Sequence, residues 1–139
     1  MSLLCRYEDW PTRLEAAVET ARTKPFSWGT VDCCLFAADC VEAITGQDLA
    51  APYRGKYKTR RGALSILKRT YGGGVEAAAN NALGMPLEAK LMARRGDVVL
   101  FDGVEGPALG ICVGANCAYL GKAGLVFLPL QITSMAWRV

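Results

Sequence analysis

Cys33 is the strongest candidate for a reactive residue in this sequence of 139 residues, because it falls at the predicted start of a helix. Residues 28–34 read Trp-Gly-Thr-Val-Asp-Cys-Cys. A thiol in the first turn of a helix lies in the positive field of the helix N-terminus, which favours the thiolate and so creates a nucleophile. A second interpretation stays open, since Cys33, Cys34 and Cys40 could equally serve as small core side chains beside apolar neighbours.

A cysteine nucleophile needs a group that moves protons, and the sequence contains no histidine. In a cysteine hydrolase the base takes the thiol proton and later protonates the leaving group, which contributes about 10²- to 10⁴-fold in rate. Asp32, Asp97 and Asp102 are the acids near the predicted elements, and Asp32 beside Cys33 is the candidate catalytic acid or base. An ordinary carboxylate is a poor general acid at neutral pH, so we favour a chain without hydrolase activity.

The six cysteines could in principle ligate a metal ion or an iron–sulfur cluster. Their spacings do not match the compact Cys-x2-Cys type, and Cys33 and Cys40 would lie about 10 Å apart along a helix axis. The glycines at 72–74 are not followed by Lys-Ser or Lys-Thr, as a phosphate-binding loop requires. The sequence therefore predicts no metal and no cofactor.

Length and composition predict a single domain over residues 1–139. Hydrophobic residues make up 52% of the chain, yet no apolar run approaches the roughly 18 to 20 residues of a membrane span. The net charge is only +3, and the basic stretch at 54–61 is interpreted as a solvated loop rather than a phosphate or acidic-partner site. We expect no nucleic-acid partner. The start of the sequence shows no secretory signal, so we expect synthesis to end in the cytoplasm.

The elements that would position Cys33 begin with helices. Apolar residues repeat at helical spacing in the first 83 residues, behind capping residues such as Asp9 and ahead of terminating glycines. The predicted helices run from Asp9 to before Pro25, from Asp32 to Gly46, from after Thr59 to Gly72, and from Val75 to Leu83.

Short runs with strand preference follow Pro86, separated by glycine-bearing turns. Turns at Asp102-Gly103, Gly114-Ala115 and 121–124 favour antiparallel neighbours. Helices first and strands second predict an α+β fold, in which N-terminal helices pack on a C-terminal antiparallel β-meander or half-barrel. The predicted strands are Asp97 to Phe101, Leu109 to Val113, Asn116 to Leu120, Leu125 to Leu130, and Met135 to Val139.

Residues 28–33, with the order Trp-Gly-x-x-Asp-Cys before a helix, resemble the nucleophile motif of NlpC-type cell-wall cysteine peptidases, distant relatives of papain. Residues 95–101, Arg-Gly-Asp-Val-Val-Leu-Phe, are similar to the Gly-Asp-hydrophobic strand of that family. Residues 109–114, Leu-Gly-Ile-Cys-Val-Gly, resemble the strand whose start bears the general base. The matches keep the family order, and the resemblance implies a papain-like fold.

The departures from that family concern its catalytic positions. Directly before the hydrophobic-Gly-Ile run, where the family has histidine, this chain has Ala108. After Cys33 the family usually has a small serine-like residue and glycine, whereas this chain has Cys34 and Leu35. The third polar residue that orients the histidine has no recognisable counterpart, and Tyr119 is the nearest candidate. The resemblance therefore implies a vestigial nucleophile at Cys33 and a missing base at Ala108.

Nearly the whole chain also resembles a domain family of unknown function from tailed bacteriophages and prophages. The resembling segments are residues 26–33, 45–48, 54–57, 124–127 and 136–139. The resemblance implies a structural subunit of a tail tip or baseplate, in a hetero-oligomeric assembly with other tail proteins. It would be located in the virion tail after assembly in the bacterial host cytoplasm.

Two alternatives to this structural role stay open. The first is an unconventional cysteine peptidoglycan hydrolase or amidase that uses Cys33 with a non-histidine or partner-supplied base. The second is a small cytoplasmic adaptor that binds another phage protein during assembly.

Overall fold

Helices precede strands along the chain, as the sequence predicts. The computed structural model describes residues 4–139, and this part of the chain contains four α-helices followed by a five-stranded antiparallel sheet. The α+β prediction is therefore confirmed, while residues 1–3 of the predicted domain lie outside the described range. No helix within residues 4–139 is long and apolar enough to cross a membrane.

The helices form where apolar periodicity and terminating glycines coincide. Gly46 ends the second helix and Gly72 ends the third, both with the positive φ that glycine tolerates. One detail of the sequence prediction is wrong, because the Asp9 side chain does not cap the first helix and instead pairs with Arg13 at 2.7 Å. The observed helices are α1 (Trp10–Arg22), α2 (Cys33–Thr45), α3 (Arg60–Tyr71) and α4 (Val75–Leu83).

The strands form an antiparallel sheet in the order β4-β3-β2-β1-β5, so the last strand returns to lie beside the first. The predicted turn at Asp102-Gly103 is wrong, because both residues pair within the first hairpin and the turn falls at 104–105. Asp97, predicted as the first residue of a strand, lies one residue before the observed strand. The observed strands are β1 (Val98–Gly103), β2 (Gly106–Cys112), β3 (Asn116–Gly121), β4 (Gly124–Pro129) and β5 (Met135–Trp137).

Two buried clusters lie on opposite faces of the sheet. The larger one contains Leu35, Val41 and Ile44 of α2, which pack against Ile111 and the other helix-facing strand residues. Burial of these side chains stabilises the fold by roughly 25 cal/mol per Å² of apolar surface. The smaller cluster, on the other face, includes Val99, Cys112, Cys117 and Tyr119. The helix that begins at Cys33 is thus held firmly against the sheet.

The loop between α2 and α3 folds back onto the turn before α2. Tyr53 and Tyr57 are buried, so they offer no exposed stacking surface. The Gly55 N–H donates to the Gly29 carbonyl at 3.0 Å. Gly29 has φ +88°, and a Cβ at this position would clash with the Tyr57 carbonyl oxygen. Arg54, from the predicted solvated loop, is instead tied at 2.8 and 2.9 Å to carboxylates on α2 and in the loop.

Candidate functional site

Asp32 is the N-cap of α2, and its buried carboxylate organises the entrance to that helix. One oxygen accepts a hydrogen bond from the Leu35 N–H at 3.1 Å. The other accepts from the Gly29 N–H at 3.0 Å and from the Tyr57 hydroxyl at 2.5 Å. This is the geometry of a good helix cap, extended by a side chain from the following loop. The carboxylate thus accepts three hydrogen bonds that hold the helix entrance together.

Cys33 is the first residue of α2 and remains partly exposed. Its sulfur lies 4.0 Å from the Cys34 sulfur, and hydrogen bonding between the two thiols lowers the pKa of Cys33. The backbone N–H of Leu109 on β2 adds to this lowering, while burial and the charge of Asp32 oppose it. The same thiol pairing, together with complete burial, raises the pKa of Cys34. Of the two thiols, Cys33 is therefore the one that ionises first.

Cys33 lines a cleft of about 120 Å³ between α2, α3 and the first hairpin of the sheet. Much of the wall is apolar, and the rings of Phe26 and Trp28 meet edge to face with centroids 4.9 Å apart. The rim carries charge, because Lys122 pairs with Glu105 at 3.1 Å. The cleft is called the thiol cleft below. Its main lining residues are Phe26, Trp28, Cys33, Tyr57, Leu64 and Ala108.

Ala108 lines the same cleft and lies on β2 directly opposite Phe101. The sequence resemblance assigns the missing base to this position, and a methyl group cannot transfer a proton. Structure and sequence therefore bring Cys33 and Ala108 together in one cleft. This juxtaposition required the packing of α2 against β2, which residue spacing alone does not reveal.

Tyr119 lies on the sheet face that also carries Phe101 and Ala108. Its ring is 5.2 Å from the Phe101 ring, and a Cβ at Gly110 would clash with it. The hydroxyl is buried and makes no hydrogen bond of normal geometry to any residue in 4–139, although the Cys117 sulfur is close enough to perturb it. Burial is the main cause that raises the pKa of Tyr119. Tyr119 thus stays protonated and packs rather than titrates.

The other acids named from the sequence lie away from the thiol cleft. Asp97 is buried among arginine side chains, and Asp102 accepts a hydrogen bond from the Ser134 hydroxyl at 2.8 Å. Sequence reasoning missed Glu105, which lines the cleft at the turn between β1 and β2. The misplaced turn explains the omission. Glu105 is paired with Lys122 on the exposed rim, so it too is engaged.

The site therefore combines a partly exposed thiol of lowered pKa with a small apolar slot and no imidazole. Such a site can bind a slender apolar group or react slowly with an electrophile. It lacks a group that both accepts the thiol proton and delivers it to a leaving amine, which a hydrolase needs in each cycle.

Comparison with known proteins identifies the family of this chain. No curated protein matches the chain. The sequence profile of a domain of unknown function, DUF6950, matches residues 5–139. The match covers nearly the whole chain, including the thiol cleft and the entire sheet. The chain therefore belongs to the DUF6950 family of domains of unknown function.

Proposed function

We propose that this chain is a non-catalytic structural subunit of a bacteriophage tail tip or baseplate, built on a disabled cysteine-peptidase fold. One observation carries the proposal: Cys33 and Ala108 line the same cleft. The cleft therefore has a thiol at the nucleophile position and, at the base position, a methyl group that cannot transfer a proton. The nearest acid, Asp32, is committed to capping α2. The site keeps the geometry of a thiol nucleophile without its proton carrier.

The arrangement of elements supports a papain-like ancestry. Helix α2 begins with Cys33 and packs against the antiparallel sheet. The Cys33 sulfur lies beside the backbone N–H of Leu109 on β2, the strand that would carry the base. Tyr119, the candidate orienting residue from the sequence, packs in the smaller cluster on the sheet face away from α2 and does not line the thiol cleft. The support for a papain-like ancestry therefore comes from the placement of Cys33 and Ala108 in one cleft.

Exposed apolar side chains support a role within an assembly. Leu91, Met92 and Ile132 are more than 40% exposed and lie on two short helical turns that contact each other. Met85 and Val104 are also largely exposed. Exposed apolar surface of this kind suits burial against neighbouring subunits. The resemblance of the sequence to domains of tailed phages is the reason to propose a tail tip or baseplate as that assembly.

The test is a comparison of the purified chain with its Cys33→Ser variant on peptidoglycan and on small acyl-amide substrates. We expect neither protein to release product above the buffer rate, and both to show the same circular dichroism spectrum. Product release that depends on Cys33 would remove the non-catalytic proposal. Mass spectrometry of phage particles that carry the gene checks the second half, since a structural subunit must be found in the virion.

A cysteine hydrolase that borrows its base from a partner is the second candidate, and the lowered pKa of Cys33 favours it. Iodoacetamide labelling distinguishes a reactive thiol from an inert one. Cys5 is exposed and would react as well, so the measurement belongs in a Cys5→Ser background. Labelling of Cys33 much faster than of Cys34 and Cys40 supports this candidate, whereas equally slow labelling of all three argues against it.

A further inference from the structure

A second concave surface, remote from the thiol cleft, is lined by four arginines. It has a volume of about 490 Å³ and shares no lining residue with the thiol cleft. The arginines come from three separate parts of the chain: the segment before α1, the turn before β1, and the end of the sequence. We call this surface the arginine groove. Its lining residues are Arg6, Trp10, Arg94, Arg95, Arg138 and Val139.

Asp97 holds the groove together from beneath. Its fully buried carboxylate pairs with Arg6 at 3.2 Å and with Arg138 at 3.3 Å. It also accepts hydrogen bonds from the backbone N–H groups of Arg94 at 2.8 Å and Val139 at 3.0 Å. One carboxylate thus fixes all three chain segments. The groove is a built feature rather than a chance meeting of surface side chains.

Arg6 is anchored further by backbone groups. Its guanidinium donates to the Arg95 carbonyl at 2.7 Å and to the Val139 carbonyl at 3.1 Å. It lies so close over Gly96, which has φ +92°, that a Cβ there would meet it at 2.8 Å. Arg6 is therefore part of the frame, and its contacts orient the groove.

Positive charge in the groove exceeds its compensation. Four guanidinium groups face one acidic side chain, Asp97, and the side chains of Arg94 and Arg95 are exposed and form no ion pair with any residue in 4–139. Burial chiefly lowers the pKa of Arg6; the charge of Asp97 opposes this, and the neighbouring charges of Arg138 and Arg94 lower the pKa further. A bound anion would relieve this repulsion.

The chemistry of the walls favours carboxylates over nucleobases. The guanidinium groups of Arg6 and Arg95 already lie against the Trp10 ring, at 4.3 and 5.8 Å from its centroid. A base would have to displace them in order to stack, and no second aromatic residue lines the groove. Guanidinium groups bind carboxylates in paired, charge-assisted hydrogen bonds. The four arginines that line the groove offer more than one such contact.

We infer that the arginine groove binds an acidic peptide segment of a partner protein, through two or more of its carboxylates. The inference goes beyond the proposed function, because it names the chemistry of a partner and holds whether or not the thiol cleft is catalytic. Arg94 and Arg95 make the contacts to the peptide, while Arg6 and Arg138 set their frame.

Fluorescence anisotropy with a labelled octaglutamate peptide tests the inference on the full chain. The double variant Arg94→Ala/Arg95→Ala is compared with Arg61→Ala/Arg69→Ala, which removes the same charge from exposed sites on α3. We expect the groove variant to weaken peptide binding by about tenfold and the α3 variant by less than about twofold. Unchanged thermal melting of both variants shows that folding is intact.

Three outcomes overturn the inference. One is the absence of octaglutamate binding by the unmodified chain, with octaglutamine as the neutral reference. Another is an equal loss of affinity in both double variants, which indicates a general charge effect. The third is tighter, groove-dependent binding of a single-stranded oligodeoxythymidine than of octaglutamate, which assigns the surface to nucleic acid.

Discussion

Two buried carboxylates, Asp32 and Asp97, organise the two concave surfaces of this chain in different ways. Asp32 is compensated by neutral donors alone: two backbone N–H groups and the Tyr57 hydroxyl. Asp97 is compensated by two arginines in addition to two backbone N–H groups. In the thiol cleft, the negative charge of Asp32 therefore acts on Cys33 and raises its pKa. In the arginine groove, positive charge is left in excess. The contrast shows that buried aspartates with different partners leave different charges on the surfaces beside them.

Asp97→Ala gives the largest expected effect. The change leaves two backbone N–H groups buried without acceptors and brings Arg6 and Arg138 together without a counter-charge. We expect the free energy of unfolding to fall by about 3 kcal/mol, measured by urea denaturation. The control is Asp102→Ala, whose exposed carboxylate accepts only from the Ser134 hydroxyl, with a loss within about 0.5 kcal/mol. Equal losses in the two variants contradict the framing role of Asp97.

Asp32→Ala comes next, with an expected loss of about 2 kcal/mol, because it removes the cap of α2 and leaves the Tyr57 hydroxyl unpaired. Tyr57→Phe removes only one of these hydrogen bonds and should cost about 1 kcal/mol. Urea denaturation of both variants separates the contributions. A loss in Tyr57→Phe that equals the loss in Asp32→Ala would mean that the cap itself contributes nothing.

Alkaline pH should destabilise the chain through its buried thiols and phenols. Burial raises the pKa of Cys40 above its ordinary 9.0 and of Tyr53 and Tyr119 above their ordinary 10.0. Groups with a raised folded pKa contribute fully below the unfolded pKa, and their contribution is lost as pH rises above it. Cys40 alone should therefore cost about 1 kcal/mol by pH 10. Urea denaturation at pH 8 and pH 10 measures the decline, and Cys40→Ala should reduce it.

The smallest effect concerns the reactivity of Cys33. The charge of Asp32 raises the pKa of Cys33, so Asp32→Asn, which keeps a capping oxygen, should lower that pKa further. We expect iodoacetamide to label Cys33 a few-fold faster at pH 7.5, in the Cys5→Ser background. Slower labelling in Asp32→Asn would mean that the cap, rather than the charge of Asp32, governs the thiol.

Local features of the sequence were predictable where they depend on near neighbours. The start of α2 at Asp32 and its end at Gly46 follow from capping chemistry within a few residues. The first hairpin was misplaced because Asp-Gly is typical of a tight turn, whereas Gly103 here pairs with Gly106 and leaves Val104 exposed at the tip.

The role of Asp97 could not be predicted from its surroundings in the sequence. Its partners Arg6 and Val139 lie 91 and 42 residues away along the chain. The same holds for the meeting of Cys33 with Ala108, which depends on how α2 packs on β2. The family resemblance indicated Cys33 and Ala108 as the nucleophile and base positions, but only the tertiary packing places these two residues in one cleft.

The contact between Gly29 and the Tyr57 loop has a consequence for how the thiol cleft can respond to an occupant. The Gly29 carbonyl accepts a hydrogen bond from the Gly55 N–H, and the Gly29 backbone lies so close to the Tyr57 carbonyl that a Cβ would clash with it. The Gly29 N–H and the Tyr57 hydroxyl both donate to the Asp32 carboxylate. These hydrogen bonds tie the turn before α2 to the loop that carries Tyr57, so we expect this side of the cleft to keep its shape when a ligand binds. A ligand would then have to fit the existing shape of the thiol cleft before it could reach the Cys33 sulfur.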